Sequence, residues 1–378
     1  MDSKTSIDKS NMDTNSALPS PKKREGMSLK RWPSWIGYIA IAWSALYGSM
    51  HLYWVLGGEG YPFKNEDGMD LFAGKVTYLP SQVGGIIFVV LCLIGILVGF
   101  SMRKPVEKTF QQRLILIYAW GWAAALLLFV PDASLIAAMA YAFLLKFKFD
   151  WLMLNQIICV LGGISWGFFA VAYRRKIRHA CEYCGRKADG KTSLLMRWSR
   201  WITYLAALAP IPYAITRYAW ALKIPLGIDA KFLQDFSNVN PAHHITEWAF
   251  GSICIAGSIL TLGLIQKWGE TFPRWFPFVN GERVPILLAV IPASCVAIAV
   301  TAAGFTFTFA FIAVKLHLVS TDNILLSHIW GSIGPMLLWI LWGIALGLAS
   351  IAYYYRRRGQ CNYCGRNEND GGVKGIED

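Results

Sequence analysis

The chain has 378 residues and a formal net charge of +13, yet only 16% of its residues are charged and 55% are apolar. That composition excludes an intrinsically disordered chain and points to a membrane protein, because hydrophobic runs near twenty residues recur along it, the length a helix needs to cross a bilayer. The positive charge follows the topology derived below, so nucleic acid is excluded as a partner.

Residues 1–30 are polar, rich in Ser, Asp, Asn and Lys, and show no apolar period. They are predicted to form a disordered tail. Lys22, Lys23, Arg24, Lys30 and Arg31 stand just before the first apolar run. They suit a topological stop signal or contact with anionic lipid. The start is too polar for a signal peptide, so the first span is expected to remain in the mature protein.

Eight spans are predicted in chain order: 34–56, 83–102, 114–131, 152–173, 201–222, 248–266, 284–305 and 327–353. With the N-terminus inside, the inner segments hold 28 of the 36 Lys and Arg residues, and only Arg217 falls within a span. The acidic residues divide far more evenly, as the positive-inside rule requires. Both termini are therefore expected in the cytoplasm. Two Phe-rich stretches, 132–149 and 306–318, follow a span directly; helix extension, an interfacial segment and a re-entrant turn remain open for each.

A six-residue phrase occurs twice, each time after an apolar stretch and a basic run: Cys181-Glu182-Tyr183-Cys184-Gly185-Arg186 and Cys361-Asn362-Tyr363-Cys364-Gly365-Arg366. The halves align elsewhere too. Tyr38, Tyr47 and Trp54 match Tyr204, Tyr213 and Trp220. His51 falls opposite Arg217, and Gly163, Gly167, Ala172 and Tyr173 match Gly343, Gly347, Ala352 and Tyr353. The predicted fold is all-α: a polytopic membrane protein with eight transmembrane helices as two parallel four-helix repeats. The predicted divisions are a 1–30 tail, repeat one at 31–190, repeat two at 191–366, each ending in its Cys-x-x-Cys phrase, and a 367–378 tail.

Segment His51-Leu52-Tyr53-Trp54-Val55-Leu56-Gly57-Gly58 resembles the signature of small four-span bacterial membrane proteins of uncharacterised activity. Segment Trp268-Gly269-Glu270-Thr271-Phe272-Pro273-Arg274-Trp275 resembles a phrase in longer integral membrane proteins of Gram-positive bacteria. The resemblance implies a multi-pass protein of the cell (inner) membrane with a duplicated four-span unit. It implies no activity.

Two thiolates three residues apart grip one side of a tetrahedral metal, and the following Gly185 or Gly365 frees the turn that aims backbone N–H groups at sulfur. Cys181, Cys184, Cys361 and Cys364 are predicted to share one structural zinc, with iron open as a substitute. A redox dithiol in each phrase and separate half-sites are the rivals. Cys92, Cys159, Cys254 and Cys295 lie among apolar neighbours and suit small buried hydrophobes.

Five of six histidines and ten carboxylates map to the outer side without a recognisable metal spacing. Arg217 and His51 are the candidate ligand-binding pair, with Asp229, Asp70 or Glu59 as carboxylate partner; snorkelling is the rival for Arg217. Asn155 and Gln156 suit polar contacts between helices. No phosphate loop, paired His-x-x-x-His or Gly-x-Ser-x-Gly is present, and no catalytic residue is assigned. Three functions remain open: small-molecule binding or transport, a non-catalytic scaffold or regulator of a membrane protein partner, and an outer-face membrane enzyme.

Overall fold

The computed structural model describes residues 32–62, 81–103, 106–132, 134–135, 151–186, 194–239, 243–272, 281–316 and 329–366. Both predicted tails lie outside the described residues, as does most of 132–149. The described chain is helical, with one isolated antiparallel bridge between Thr271 and Arg283. Twelve α-helices are labelled here: α1 (Trp32–Val55), α2 (Ser81–Gly99), α3 (Thr109–Ala124), α4 (Trp151–Ile177), α5 (Leu194–Leu208), α6 (Ile211–Ala221), α7 (Ala230–Val239), α8 (His243–Gly263), α9 (Ile286–Lys315), α10 (Ile329–Ser332), α11 (Gly334–Leu337) and α12 (Trp339–Arg357).

Six stretches are long and apolar enough to cross a membrane: Gln82–Met102, Thr109–Phe129, Trp151–Ile177, His244–Gly263, Ile286–Ala313 and Gly334–Arg357. Where water is absent, a segment must satisfy its backbone N–H and C=O groups internally, and the helix does so. Large apolar side chains such as Leu46, Leu97, Ile117, Leu260 and Leu287 are exposed, while alanines such as Ala40, Ala119, Ala170, Ala206 and Ala303 are buried. An exterior that apolar fits a multi-pass membrane protein, and small buried residues allow close helix contact.

The other two predicted spans differ in kind from these six. Helix α1 has 24 residues, but its Trp, Tyr, Ser and His51 side chains dilute its apolar character. The predicted span 201–222 is two helices, α5 and α6, because Pro210 interrupts the backbone hydrogen-bond ladder between them. Pro335 likewise divides the start of span eight into α10 and α11, whereas Pro292 sits inside an unbroken α9. Helix α9 runs for 30 residues, about 45 Å, so residues 306–315 continue the predicted span 284–305 as helix. At the matching place in the first half, α3 passes into a π-turn, Ala125–Phe129, shortly before Pro131.

Packing follows the same order in both halves. In the first, α1 packs on α2 and α4, and α3 on α4. In the second, α5 packs on α8 and α12, α6 on α8, and α9 on α12. Glycines permit the tightest of these contacts. A Cβ at Gly163 would meet Leu127 at 2.5 Å, and one at Gly343 would meet Thr301 Oγ1 at 2.0 Å. Two large hydrophobic cores result, beside a small cluster of Trp220, Ile228 and Leu233. One is built around Tyr47, Trp122, Trp166 and Phe169, the other around Tyr213, Phe307, Trp339 and Trp342, and neither draws a buried residue from the other half. Between halves, the most extensive helix contact sets α9 against the π-turn, where Phe129 and Phe305 have ring centroids 6.1 Å apart.

Candidate metal centre

Helices α4 and α12 end at the same side of the molecule, each with cations in its last turn: Arg174, Arg175 and Lys176 in one, Arg356 and Arg357 in the other. Cations there complement the negative end of the helix dipole. Four residues past each helix the Cys-x-x-Cys phrase forms a turn. The two turns have the same backbone. Gly185 N–H donates to Cys181 O and Gly365 N–H to Cys361 O, both at 2.8 Å. Cys181 N–H donates to Arg186 O at 3.2 Å, and Cys361 N–H to Arg366 O at 3.1 Å. Gly185 and Gly365 adopt φ of +71° and +70°, a region costly for any residue with a Cβ.

The turns face one another. The sulfurs of Cys181, Cys184, Cys361 and Cys364 all lie within 4.8 Å of one another, with Cys184 and Cys364 at 3.6 Å. Sulfurs bound to one tetrahedral zinc at ~2.3 Å sit about 3.8 Å apart, so the donor set fits the ion by number, chemistry and spacing. Four thiolates leave no open coordination position, so the ion would supply cross-linking rather than a reactive site. The predicted convergence across 180 residues is therefore present.

Arginines clamp the pair, a feature sequence reading missed although Arg186 and Arg366 close the repeated phrase. Arg186 reaches across to the carbonyls of Arg366, Gly359 and Arg358, and Arg366 Nη1 returns to Arg186 O at 3.2 Å. Arg358 donates to Cys184 O, and Tyr183 and Tyr363 pack at 4.5 Å between ring centroids. The Arg186–Arg366, Tyr183–Tyr363 and Cys184–Cys364 contacts join matched residues from the two phrases, as in a self-complementary twofold interface. Four thiolates around a divalent ion would carry two net negative charges, and the guanidinium groups that bond the carbonyls of the two phrases bring positive charge to the same spot. The thiols are already unlike. Burial opposes ionisation of Cys361, but N–H groups of Cys364 and Tyr363 and the neighbouring sulfurs outweigh it and bring it to about 7. Burial pushes Cys184 up to about 12.

The proposed ligand pair lies away from this centre, and each member belongs to its own half. His51 is fully buried among rings: Phe88 stacks on it at 4.4 Å, and Tyr47 and Trp54 meet it edge-on at 4.7 and 4.9 Å. Arg217 faces inward rather than snorkelling. Its Nη1 lies 3.2 Å from both carboxylate oxygens of Glu247 on α8, and its guanidinium stands 4.5 Å from the Tyr213 ring and 4.6 Å from Trp220. The carboxylate partner is thus Glu247, in place of the three expected. Asp229 instead accepts from the Lys231 N–H, Glu59 is exposed, and Asp70 lies outside the described residues. Asn155 and Gln156 are buried on α4, and Asn155 makes the expected contact between helices: its Oδ1 accepts from the Tyr47 hydroxyl on α1 at 3.2 Å, and the Cys159 thiol donates to that hydroxyl at 3.0 Å, while Gln156 Nε2 donates to Ser134 Oγ at 3.3 Å. Of the histidines predicted at the outer side, His244 bonds Ala221 O, while His317 and His328 lie outside the described residues. No protein-family model, curated protein or solved structure matches the chain.

Proposed function

We propose that the chain is an eight-span protein of the cell membrane, built from two parallel four-span repeats with both termini cytoplasmic, and that it acts as a membrane scaffold or regulator whose two bundles are joined by a structural zinc ion at the cytoplasmic face. In this topology α1 is the first span, and α5 with α6, bent at Pro210, is the fifth. The common packing order supports the repeat, and so does a shared capping device. Lys176 Nζ donates to Met102 O at the end of α2, and its counterpart Arg356 donates to Leu264 O at the end of α8, at 2.7 and 2.6 Å. Those carbonyls are 162 residues apart, the same interval that separates Phe88 from Phe250 and Cys92 from Cys254.

The scaffold reading is carried by the four sulfurs drawn from phrases 180 residues apart onto one spot. A closed four-thiolate site is a fastening, and it stands where two otherwise separate cores need one. The polar groups available for a ligand cavity are engaged within their own halves: His51 among aromatic rings, Arg217 with Glu247. The transport reading keeps one specific support, the separation of the two cores, because carriers of this plan rock one repeat against the other.

A protease site placed in the 187–193 linker tests the fastening. After cleavage in detergent, the zinc-loaded halves should stay together, and a chelator or the pair Cys184→Ser and Cys364→Ser should separate them. Halves that stay together without metal would sink the staple. Native mass spectrometry of the uncut chain should give the protein plus one zinc. A further small molecule that is retained, and lost in Arg217→Gln, would restore the carrier.

A further inference from the structure

Beside the first knuckle, a cleft of about 290 Å³ opens between the ends of α1, α2 and α4. Tyr38, Ile41 and Met102 give it an apolar wall, Arg103 and Lys176 put two cations on it, and Glu182 stands at its rim. Arg103 Nε donates to the Tyr38 hydroxyl at 3.0 Å, and the guanidinium lies 4.9 Å from that ring. This leaves four of the five Arg103 N–H donors. Lys176 gives one of its three protons to Met102 O. Among the described residues, neither cation has a carboxylate partner.

The matched place in the second half carries different residues. Two glycines bring α1 close against α2 at the floor of the first cleft: a Cβ on Gly37 would meet Met102 at 3.1 Å, and one on Gly99 would meet Ile41 at 2.3 Å. Their counterparts are Thr203 and Thr261, both buried. The counterpart of Arg103 is Ile265. The counterpart of Lys176 is Arg356, which is held by Glu270 at 3.0 Å. The first half therefore keeps two cations on a cleft at the place where the second has one, and that one is paired with a carboxylate.

We propose that this cleft is a site for an anionic phospholipid of the inner leaflet, with the headgroup phosphate on Arg103 and Lys176 and the acyl chains along the apolar wall. The proposal rests on the topology given above, which places the knuckle end at the cytoplasmic surface. Basic pockets between helices on that side suit lipid headgroups. Two cations and one carboxylate leave a single positive charge, the complement of a singly charged phosphodiester such as phosphatidylglycerol.

The test reconstitutes the full chain in vesicles of equimolar phosphatidylglycerol and phosphatidylcholine, re-extracts it, and reads retained lipid by native mass spectrometry. The wild-type chain should retain phosphatidylglycerol in preference. Arg103→Gln should lower that preference about fivefold, the weight of one cation beside an anionic headgroup. Arg178→Gln removes the same charge from an exposed position on the same face and should leave the preference unchanged. Equal retention of the two lipids, or equal loss in both variants, would overturn the site, and displacement by inorganic phosphate would overturn its assignment to lipid. Zinc content and melting temperature are read on the same samples. A variant that keeps both but loses no lipid preference refutes the cleft alone and leaves the staple standing.

Discussion

The two halves pack their helices in the same order but solve the same buried position with opposite chemistry. In the first half the position holds His51, with Phe88 stacked on it and Gly85 one turn earlier on α2. In the second it holds Arg217, and the place matched to Gly85 holds Glu247. A third residue follows suit. A Cβ at Gly85 would meet Val55 at 2.5 Å, and the counterpart of Val55 is the smaller Ala221. The cation, its counter-ion and the room for that counter-ion thus occur together in one repeat and are missing together in the other. A buried charge persists only when paired, so these three positions form one unit. The arginine that looks like a ligand site in isolation is, beside its counterpart, half of an internal ion pair.

The largest effect should come from breaking what the halves share. Cys184→Ala should abolish binding of the single zinc and lower the melting temperature by tens of degrees, since structural zinc sites contribute on the order of 10 kcal/mol. Metal analysis with thermal unfolding in detergent reads both. A variant without zinc that melts like the wild type would mean that the two cores hold together unaided.

The next effect separates the halves. Glu247→Ala should cost about 3–5 kcal/mol, because it strands the Arg217 charge. Arg217→His with Glu247→Gly, which installs the first half's residues, should recover most of that loss in a double-mutant cycle. Conversely, His51→Arg should destabilise the first half by a similar amount. Adding Gly85→Glu alone should help little, and adding Val55→Ala as well should help most. If the third substitution changes nothing, the three positions are not a unit.

The smallest effect concerns the tyrosines matched across the repeat. Tyr47→Phe removes the donor to Asn155 and the acceptor for Cys159, and should cost about 1 kcal/mol. In the second half the counterparts of Asn155 and Cys159 are Pro335 and Trp339, and Tyr213 meets Trp339 ring to edge at 5.2 Å. Tyr213→Phe should keep that contact and the ring beneath Arg217, and should cost less than Tyr47→Phe. Unfolding in detergent compares the two.

How much was legible in the sequence depended on whether the signal was local. The knuckles announce themselves in six consecutive residues, and their turns, their glycines and the meeting of their sulfurs all follow. Helix positions were legible from apolar runs, except where Pro210 and Pro335 break a run that stays apolar. The partner of Arg217 was not legible, because it stands 30 residues away on another helix and is distinguished only by what replaces it in the other repeat, a glycine. The arginine clamp was in plain view at Arg186 and Arg366, but a guanidinium that bonds backbone carbonyls leaves no mark on the residues it holds.

The self-complementary contacts of the knuckles bear on the history and assembly of the chain. One repeat alone supplies two sulfurs and one arginine of the clamp, so a single-repeat protein would complete the site only by meeting a second copy. Fusing two copies turns that encounter into an intramolecular one, at effective concentrations that short flexible tethers raise to the millimolar range. Such a joint would form at any expression level, would need one metal ion per polypeptide, and would free each half to diverge without having to match itself. The Arg217–Glu247 pair and the open cleft at Arg103 are the kind of asymmetry that a symmetric homodimer could carry only in duplicate.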